Sequence, residues 1–286
     1  MADKDNQPIK LHDIFDGFGQ FEDVFTTPDA LFAKVDKIYE RLLKKVDGIY
    51  PDSGIHDCIL DADLAGTLAH EAIGHTTEAD LVLAGSVAAN LMDQEVASPL
   101  VTLVDFAHTA YGKTCPVPVY VDDEGVKAED AMIIEKGILK SYMHNKDSAQ
   151  KFQMPLTGNA RAMQFYDEPL IRMRNTAILP GKSQLKEMIA SIDDGYYLMK
   201  RSNGQADSTS EFMFGVVQGY EVKNGKLGRA LKDITISGIA FDVLKSVSMI
   251  SDGLVWGNAG MCGKKQLIPV GMGGPAIKCK VNIGGK

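Results

Sequence analysis

Two histidines and a glutamate lie within one short stretch, His70-Glu71-Ala72-Ile73-Gly74-His75. The arrangement resembles the H-E-x-x-H signature, in which two histidines one helical turn apart bind zinc and the glutamate activates a water molecule. In this chain one additional residue separates the histidines. The residue types indicate a metal-dependent hydrolase, and the spacing requires an unusual helix.

The spacing of His70 and His75 is incompatible with a regular α-helix around one ion. Each residue turns the helix by about 100°, so side chains five positions apart diverge by roughly 140°. A π-bulge inserts one residue into a turn and would bring both imidazoles to one side. Gly74 lowers the steric cost of such a distortion. We therefore predict a distorted helix at residues 72–75.

A catalytic zinc site uses three protein ligands and leaves one position for water, so a third ligand is needed. Cys262 is the preferred candidate because it lies in a glycine-rich stretch without strand periodicity, which predicts a loop that approaches an ion closely. Glu78 and Asp80 are alternative candidates for the third ligand. If they do not bind the metal, we expect them to be solvated charges at a helix end. The motif also allows a different interpretation, in which His70 caps a neighbouring element and Glu71 is merely exposed.

The remaining cysteines and histidines have weaker claims to a metal. Strand parity with apolar neighbours assigns Cys115 and Cys279 to the core, and Cys58 is assigned there too. Four scattered cysteines do not form a disulfide scaffold in a chain of this size, so we interpret them as reduced thiols. The histidines without a partner at ligand spacing are His12, His56, His108 and His144.

Composition limits the class of protein. The 286 residues can form a sizeable core in one large or two ordinary domains. Lys and Arg total 30 against 38 Asp and Glu, a net charge of -8 without a long basic run, which argues against a nucleic-acid groove. We find neither a signal-peptide apolar region nor a membrane-spanning apolar run. We therefore expect a soluble, cytoplasmic protein with no nucleic-acid or membrane partner.

Helical periodicity appears first near the N-terminus. Thr27-Pro28 begins an amphipathic helix whose apolar residues recur at spacings of three and four, at Leu31, Val35, Ile38, Leu42 and Val46. Residues 64–75 form a second apolar pattern, which predicts a buried helix bearing the histidine motif. Shorter helices are predicted at residues 183–192, with Ser183 as a cap, and at residues 241–249.

Beyond about residue 96, the apolar period changes to two and predicts a β-rich part. The predicted strands are residues 100–106, 117–121, 172–179 and 234–239. Asn224-Gly225 and Glu135-Lys136-Gly137 predict hairpin turns between antiparallel strands. The predicted fold class is α+β, with a large, mostly antiparallel, barrel-like C-terminal sheet, a buried motif-bearing helix and a short helical N-terminal segment.

Eight sequence motifs follow one another from about residue 55 to the end. They are residues 70–75 with Glu78 and Asp80, Val121-Asp122-Asp123-Glu124-Gly125, Pro155-Leu156-Thr157-Gly158-Asn159, Arg172-Met173-Arg174-Asn175-Thr176, Phe214-Gly215-Val216, Cys262-Gly263-Lys264, Pro269-Val270-Gly271 and Ile283-Gly284-Gly285. In type and order they resemble the motifs of the TldD/PmbA family of cytoplasmic metallopeptidases. The chain is similar to the TldD-like branch, which keeps the histidine motif.

The resemblance implies that His70, His75 and Cys262 bind Zn²⁺ and that Glu71 is the general base. It implies hydrolysis of unfolded or extended polypeptides, by a homodimer or by a heterodimer with a PmbA/TldE-like subunit. Family members are usually longer, so we expect residues 1–54 to be a reduced N-terminal segment and residues 55–286 to be the metallopeptidase domain. Two alternatives stay open: a non-catalytic peptide- or partner-binding subunit, and hydrolysis of a substrate other than peptide.

Overall fold

The computed structural model describes residues 1–4, 7–15, 17, 20–257 and 260–284. The α-helices in these ranges are α1 (Phe21–Val24), α2 (Pro28–Val46), α3 (Ala62–Thr67), α4 (Ala79–Leu83), α5 (Lys146–Phe152), α6 (Leu185–Ala190) and α7 (Ala240–Lys245). A π-helix spans Leu68–Gly74, and 3-10 helices span His75–Thr77 and Val87–Asn90. No helix of the described residues is long and apolar enough to cross a membrane.

The strands are distributed along the whole chain. They are β1 (Ala2–Lys4), β2 (Gln7–Ile9), β3 (Gly54–Leu60), β4 (Leu103–Phe106), β5 (Thr109–Ala110), β6 (Lys113–Thr114), β7 (Ala131–Glu135), β8 (Ile138–Leu139), β9 (Ala160–Arg161), β10 (Leu170–Ile171), β11 (Asn175–Ile178), β12 (Asp194–Ala206), β13 (Glu211–Lys223), β14 (Lys226–Ala230), β15 (Ile234–Ile239), β16 (Met249–Ile250), β17 (Val255–Trp256), β18 (Gly260–Lys264), β19 (Gln266–Gly274) and β20 (Ile277–Gly284).

One sheet closes on itself into a barrel. Its strands run in the order β12, β3, β20, β15 and β13, and β13 pairs again with β12. Within the ring β3 and β12 are parallel, whereas the other neighbouring strands are antiparallel. Closure leaves these five strands without an open edge.

A second sheet has the order β17, β19, β11, β4, β7 and β8, with β18 paired to β19. The β11–β19 pair is parallel, and the remaining pairs are antiparallel. The two sheets and the helices between them confirm the predicted α+β class with a mostly antiparallel, barrel-like sheet.

The helical segment at residues 62–77 lies between the two sheets. It contacts β12 and β13 of the barrel and β11 and β19 of the second sheet. Asp61 caps its start by accepting a hydrogen bond from the Leu64 N–H at 3.0 Å. Because it packs on both sides, its apolar residues are buried almost completely, which confirms the predicted buried helix.

Two glycines allow this helix to approach its neighbours closely. A Cβ on Gly66 would lie 2.9 Å from the backbone nitrogen of Gly273, and a Cβ on Gly74 would lie 2.0 Å from Sδ of Met173. Gly74 itself has φ -55° and ψ -52°, right-handed helical values that any residue adopts. Gly74 therefore lowers the steric cost of the distorted helix by allowing close packing against Met173, and its backbone conformation is ordinary.

The N-terminal helix is attached to the barrel by a buried lysine. As predicted, Thr27 caps α2 by accepting from the Ala30 N–H at 3.4 Å. Val35 of the predicted apolar face is nevertheless 52% exposed. Lys45 is only 3% exposed, and its Nζ forms an ion pair with Asp233 before β15. The helix therefore buries Leu42 and Lys45, whereas part of its predicted apolar face is exposed.

Three of the four predicted strands are present, and the fourth is interrupted by prolines. Residues 234–239 form β15 as predicted, and the strands predicted at residues 100–106 and 172–179 are present as the shorter β4 and β11. The prediction for residues 117–121 is wrong, because they form only an isolated bridge at Val121. Pro116 and Pro118 lack the N–H that a strand ladder needs. Cys115 is still buried, so its predicted core location is confirmed.

Both predicted hairpin turns are confirmed. Asn224 and Gly225 have positive φ, 49° and 73°, and connect β13 to β14. Lys136 and Gly137, with φ of 47° and 87°, connect β7 to β8. Left-handed values at both central residues are what a type I′ turn requires.

The two shorter helices differ from their predicted limits. The helix expected at residues 183–192 is α6, and Gln184 caps it in place of Ser183. The helix expected at residues 241–249 ends at Lys245, and Met249 belongs to β16.

Candidate metal centre

A π-helical turn brings His70 and His75 together. The His75 N–H donates to the carbonyl of His70, five residues earlier, instead of to the residue four positions back. The two imidazole ring centroids lie 5.3 Å apart, with an interplanar angle of 76°. The predicted distortion is confirmed, and it extends from Leu68 to Gly74. The π-helical backbone therefore accommodates the additional residue between the histidines.

Cys262 joins the two histidines from a distant part of the chain. Its Sγ lies 3.2 Å from Nε2 of His75, and one donor atom from each of His70, His75 and Cys262 lies within 4.8 Å of the others. Cys262 lies on β18, opposite Ile268 of β19. The loop predicted for residues 257–263 is wrong at residues 260–263, which belong to β18, whereas Gly257 lies in no strand and residues 258 and 259 are outside the described residues.

His70 has the properties of an uncharged metal ligand. It is completely buried, and within the described residues neither ring nitrogen has a hydrogen-bond partner. Burial, together with the positive charges of His75, Arg201 and Arg172, holds the pKa of His70 well below its usual value. A buried imidazole without partners is costly unless a cation or solvent satisfies it. The alternative role of His70 as a cap for a neighbouring element is therefore not supported.

His75 is held by hydrogen bonds on both ring nitrogens. Its Nδ1 lies 2.8 Å from Oε2 of Glu78, and its Nε2 faces Cys262. Burial lowers the pKa of His75, but the hydrogen bonds to Cys262 and Glu78 outweigh this effect and raise the pKa to about 10. Nε2 of His75 and Sγ of Cys262 therefore face each other across the position that a cation would take.

Glu78 and Asp80, the carboxylate alternatives, lie outside the group of three. Glu78 is completely buried, so its interpretation as a solvated charge is wrong. It contacts His75 and the ammonium group of Lys264, which lies 3.3 Å from Oε2. Asp80 pairs with the same Lys264 at 2.9 Å. Glu78 therefore contacts the ring nitrogen of His75 that faces away from Cys262, and Asp80 is connected to Glu78 through Lys264.

Glu71 occupies the open side of the site. Its side chain is 29% exposed, with Oε2 3.8 Å from Nε2 of His75. Its other oxygen, Oε1, lies 3.8 Å from Nη1 of Arg201 on β12. The carboxylate is therefore next to the candidate ligands without hydrogen bonding to them, and it is accessible from solvent.

Arginines that were given no role from the sequence hold the strand that carries Cys262. Arg172 is completely buried and donates to the carbonyls of Cys262 at 2.6 Å and Gln266 at 3.0 Å. Arg161 donates to the carbonyls of Met173 and Pro269. Arg172 opens one of the sequence motifs and Arg161 follows another by two residues, but their roles depend on burial, which the sequence does not show.

A cleft of about 480 Å³ lies beside Arg201. It is lined by the β12 residues 200–204 and by Gly260, two positions before Cys262. His12 and Asp13 from the N-terminal segment border its other side. His12, given no role from its sequence position, therefore borders this cleft. Within the described residues, the group of His, Cys and carboxylates close enough to bind an ion is His70, His75 and Cys262.

Comparison with protein families identifies the family of this chain. A family model described as PmbA/TldA metallopeptidase C-terminal domain matches residues 53–285. The chain belongs to this PmbA/TldD family. A zinc metalloprotease TldD homolog of Saccharolobus solfataricus is 35% identical over 269 residues, and a metalloprotease TldD homolog of Buchnera aphidicola is 39% identical over 238 residues. These matches cover 93% and 82% of the chain.

The chain spans about half the length of the relatives it matches, 59% of the Saccharolobus protein and 49% of the Buchnera protein. Among solved structures, TldE from Thermococcus kodakarensis superimposes with a TM-score of 0.71 at 21% identity, over 88% of the chain and 56% of that protein. A putative modulator of a DNA gyrase from Thermotoga maritima gives a TM-score of 0.71 at 22% identity, over 86% of the chain and 54% of that protein. These similarities establish that the fold is shared.

Proposed function

We propose that the protein is a zinc-dependent peptidase in which His70, His75 and Cys262 bind the metal and Glu71 is the general base. The observation that carries this proposal is the convergence of two imidazoles and one thiol beside an accessible carboxylate. Two nitrogens and one sulfur are a donor set that suits zinc, and three protein ligands correspond to a catalytic site. The Saccharolobus relative named a zinc metalloprotease supports the choice of metal.

The orphaned ring nitrogens of His70 support a cation at this position, since nothing else among the described residues satisfies them. Zinc in such a site supplies a water of lowered pKa and a Lewis acid for the substrate carbonyl. Glu71 is close enough to His75 to reach a water placed between them, and it would take the proton of that water during attack. The same carboxylate would then return the proton to the leaving amine.

The substrate that fits this geometry is an unfolded or extended polypeptide. The register between β12 and β13 shifts between Arg201 and Gly204, so Ser202 and Asn203 lack ladder partners on β13. Both residues line the cleft beside Arg201. Main-chain hydrogen bonds to such a segment bind an extended peptide with little sequence preference. This supports peptide over other hydrolysable substrates.

The quaternary state belongs to the proposal as well. We expect either a homodimer or a heterodimer with a PmbA/TldE-like subunit, supported by the fold shared with the Thermococcus TldE. We also propose residues 55–286 as the peptidase domain, supported by the family match from residue 53. The alternative function is a non-catalytic subunit that binds peptide or partner through the same fold.

A comparison of the wild type with Glu71→Gln tests these alternatives. Both proteins should retain one zinc per chain, whereas the variant should cleave an unfolded protein at least about 100-fold more slowly, because it lacks a base. Glu135→Gln, a surface change on β7, is the matched control and should cleave at the wild-type rate. Each protein should be assayed alone and with a PmbA/TldE-like subunit. Equal cleavage by wild type and Glu71→Gln would exclude the proposed mechanism, and zinc binding without any cleavage would favour the non-catalytic subunit.

A further inference from the structure

Arg201 differs from the other arginines around the candidate centre. Arg172 and Arg174 are completely buried, and their guanidinium groups donate to carbonyls or carboxylates of the fold. Arg201 is about one third exposed and lines the cleft. Within the described residues its guanidinium makes no hydrogen bond, and its ion-pair partner is Glu71 at 3.8 Å. Its donors are therefore available beside the proposed base.

The backbone at Arg201 is shaped by the helix that carries the histidines. Lys200 has a positive φ of 60°, unusual for a residue other than glycine, and a register shift with β13 follows Arg201. Asp63 Oδ2 accepts from the Arg201 N–H at 3.0 Å, and Asp61 Oδ2 accepts from the Lys200 N–H at 3.3 Å. Both aspartates belong to the first turn of the motif-bearing helical segment. Irregular strands of this kind redirect a side chain, and they concentrate at functional sites.

The orientation brings a positive charge to the candidate centre. Nη1 of Arg201 lies 3.8 Å from Oε1 of Glu71, the proposed general base. A guanidinium group carries five donors in a planar fork and stays charged at any physiological pH. A group with unused donors, facing a cleft and beside a general base, is suited to receive negative charge that develops on a substrate.

We propose that Arg201 stabilises the oxyanion formed from the scissile carbonyl. The inference rests on the proposed peptidase function. In the step concerned, the water oxygen bonds to the carbonyl carbon, Glu71 takes the water proton, and the carbonyl π electrons move onto the oxygen facing Arg201. The electron pair then returns, the C–N bond breaks, and the amine leaves with the proton from Glu71. No oxidant or additional reactant is needed.

The test uses Arg201→Gln and Arg201→Lys in the zinc-loaded full chain, with a C-terminally amidated peptide as substrate. Amidation removes the terminal carboxylate, which an arginine could otherwise bind. We expect Arg201→Gln to lower kcat by about 10²- to 10³-fold with little change in KM and with unchanged zinc content. Arg201→Lys should restore part of the loss. Arg229→Gln, on β14 and with a side chain 65% exposed, is the matched control.

A binding measurement separates oxyanion stabilisation from the positioning of Glu71. A phosphinic peptide imitates the tetrahedral anion, so Arg201→Gln should weaken its binding by a factor similar to the loss in kcat. The same substitution in a Glu71→Gln background should weaken phosphinic peptide binding but leave binding of the uncleaved substrate unchanged. Wild-type affinity for the phosphinic peptide despite a low kcat would overturn the proposal and make Arg201 a positioning residue.

Failure of this inference can be distinguished from failure of the proposed function. A zinc-loaded wild type that cleaves no peptide would overturn both. An active wild type with an equally active Arg201→Gln variant would overturn the role of Arg201 alone. A higher KM with unchanged kcat would also overturn it, because the arginine would then contribute equally to substrate and transition-state binding.

Discussion

Glu78 Oε2 lies 2.8 Å from Nδ1 of His75, and this contact leaves Nε2 of the same ring facing Cys262. Glu78 is completely buried and also lies 3.3 Å from the ammonium group of Lys264. A carboxylate on the outer nitrogen of a metal-binding histidine fixes the ring orientation and increases its basicity. Glu78 is therefore a positioning residue for the proposed zinc site.

Replacing Glu78 with glutamine should weaken zinc binding by about 10- to 100-fold, because the amide retains the size of the side chain but not its charge. Competition with a chromogenic chelator measures the affinity. Glu129→Gln makes the same chemical change at a position 67% exposed and should bind zinc like the wild type. Wild-type affinity in Glu78→Gln would contradict the role inferred from the hydrogen bond.

Replacing Cys262 with serine should remove the sulfur ligand. A serine hydroxyl is a much poorer zinc ligand than a thiolate, so dialysed Cys262→Ser should hold less than one zinc per chain. The cobalt(II)-loaded wild type should show sulfur-to-metal charge-transfer absorption, and the variant should lack it. Cys115→Ala, which changes a buried thiol in a separate apolar cluster, should keep the absorption. Persistence of the band in Cys262→Ser would identify another thiol as the ligand.

The sequence was sufficient for features that depend on near neighbours in the chain. The five-residue spacing of His70 and His75 predicted a distorted helix, and the structure has a π-helix there. Asn224-Gly225 predicted a hairpin, because few residues tolerate two successive positive φ values. The family motifs also indicated Cys262, which lies 187 residues after His75. In each case either local geometry or motif order carried the information.

The strand at Cys262, the irregular segment at residues 117–121 and the position of Arg201 were not predicted from the sequence. Met261 is 51% exposed and Cys262 is 4% exposed, an alternation typical of a strand that the flanking glycines obscured. The apolar alternation of residues 117–121 was misleading, because Pro116 and Pro118 lack the N–H groups that a strand ladder needs. The role of Arg201 depends on a backbone irregularity held by aspartates about 140 residues earlier, which no local pattern reports.

Gly74→Ala tests whether close packing positions the π-helix. The added Cβ would lie 2.0 Å from Sδ of Met173, which is completely buried and has little room to move. We expect a loss of about 1–3 kcal/mol in the free energy of unfolding, measured with urea, together with weaker zinc binding. Gly253→Ala is the matched control, because a Cβ there would have no neighbour within 4 Å.

A double-mutant cycle attributes the effect of Gly74→Ala to this contact. Met173→Ala should destabilise the protein by leaving a cavity, and adding Gly74→Ala to it should cost much less than in the wild type, because the clash is gone. Strictly additive losses would show that Gly74 is needed for a reason other than its distance from Met173.

Asp61 should make stability depend on pH. Burial, reinforced by the charge of Asp63, raises the pKa of Asp61 to about 6, although hydrogen bonds from the Leu64 and Lys200 N–H groups lower it. The folded state therefore binds this proton more tightly than the unfolded state, whose carboxyl has the ordinary pKa of 3.8. The contribution of Asp61 to stability is most favourable below about pH 4 and declines as the pH rises to about 6. Above that pH the carboxylate is charged in both states, and its contribution is constant.

Asp61→Asn and Asp61→Ser replace the carboxylate with neutral caps for the Leu64 N–H. The free energy of unfolding of each variant, relative to the wild type, should therefore rise by about 2 kcal/mol between about pH 4 and about pH 7.5. Urea unfolding with a chelator present measures this change without any contribution from metal loss. Because asparagine and serine differ in shape but are both neutral, the same pH dependence in both would identify the partly buried charge of Asp61 as its cause. A difference from the wild type that stays constant with pH would mean that Asp61 ionises as freely in the folded chain as in the unfolded one.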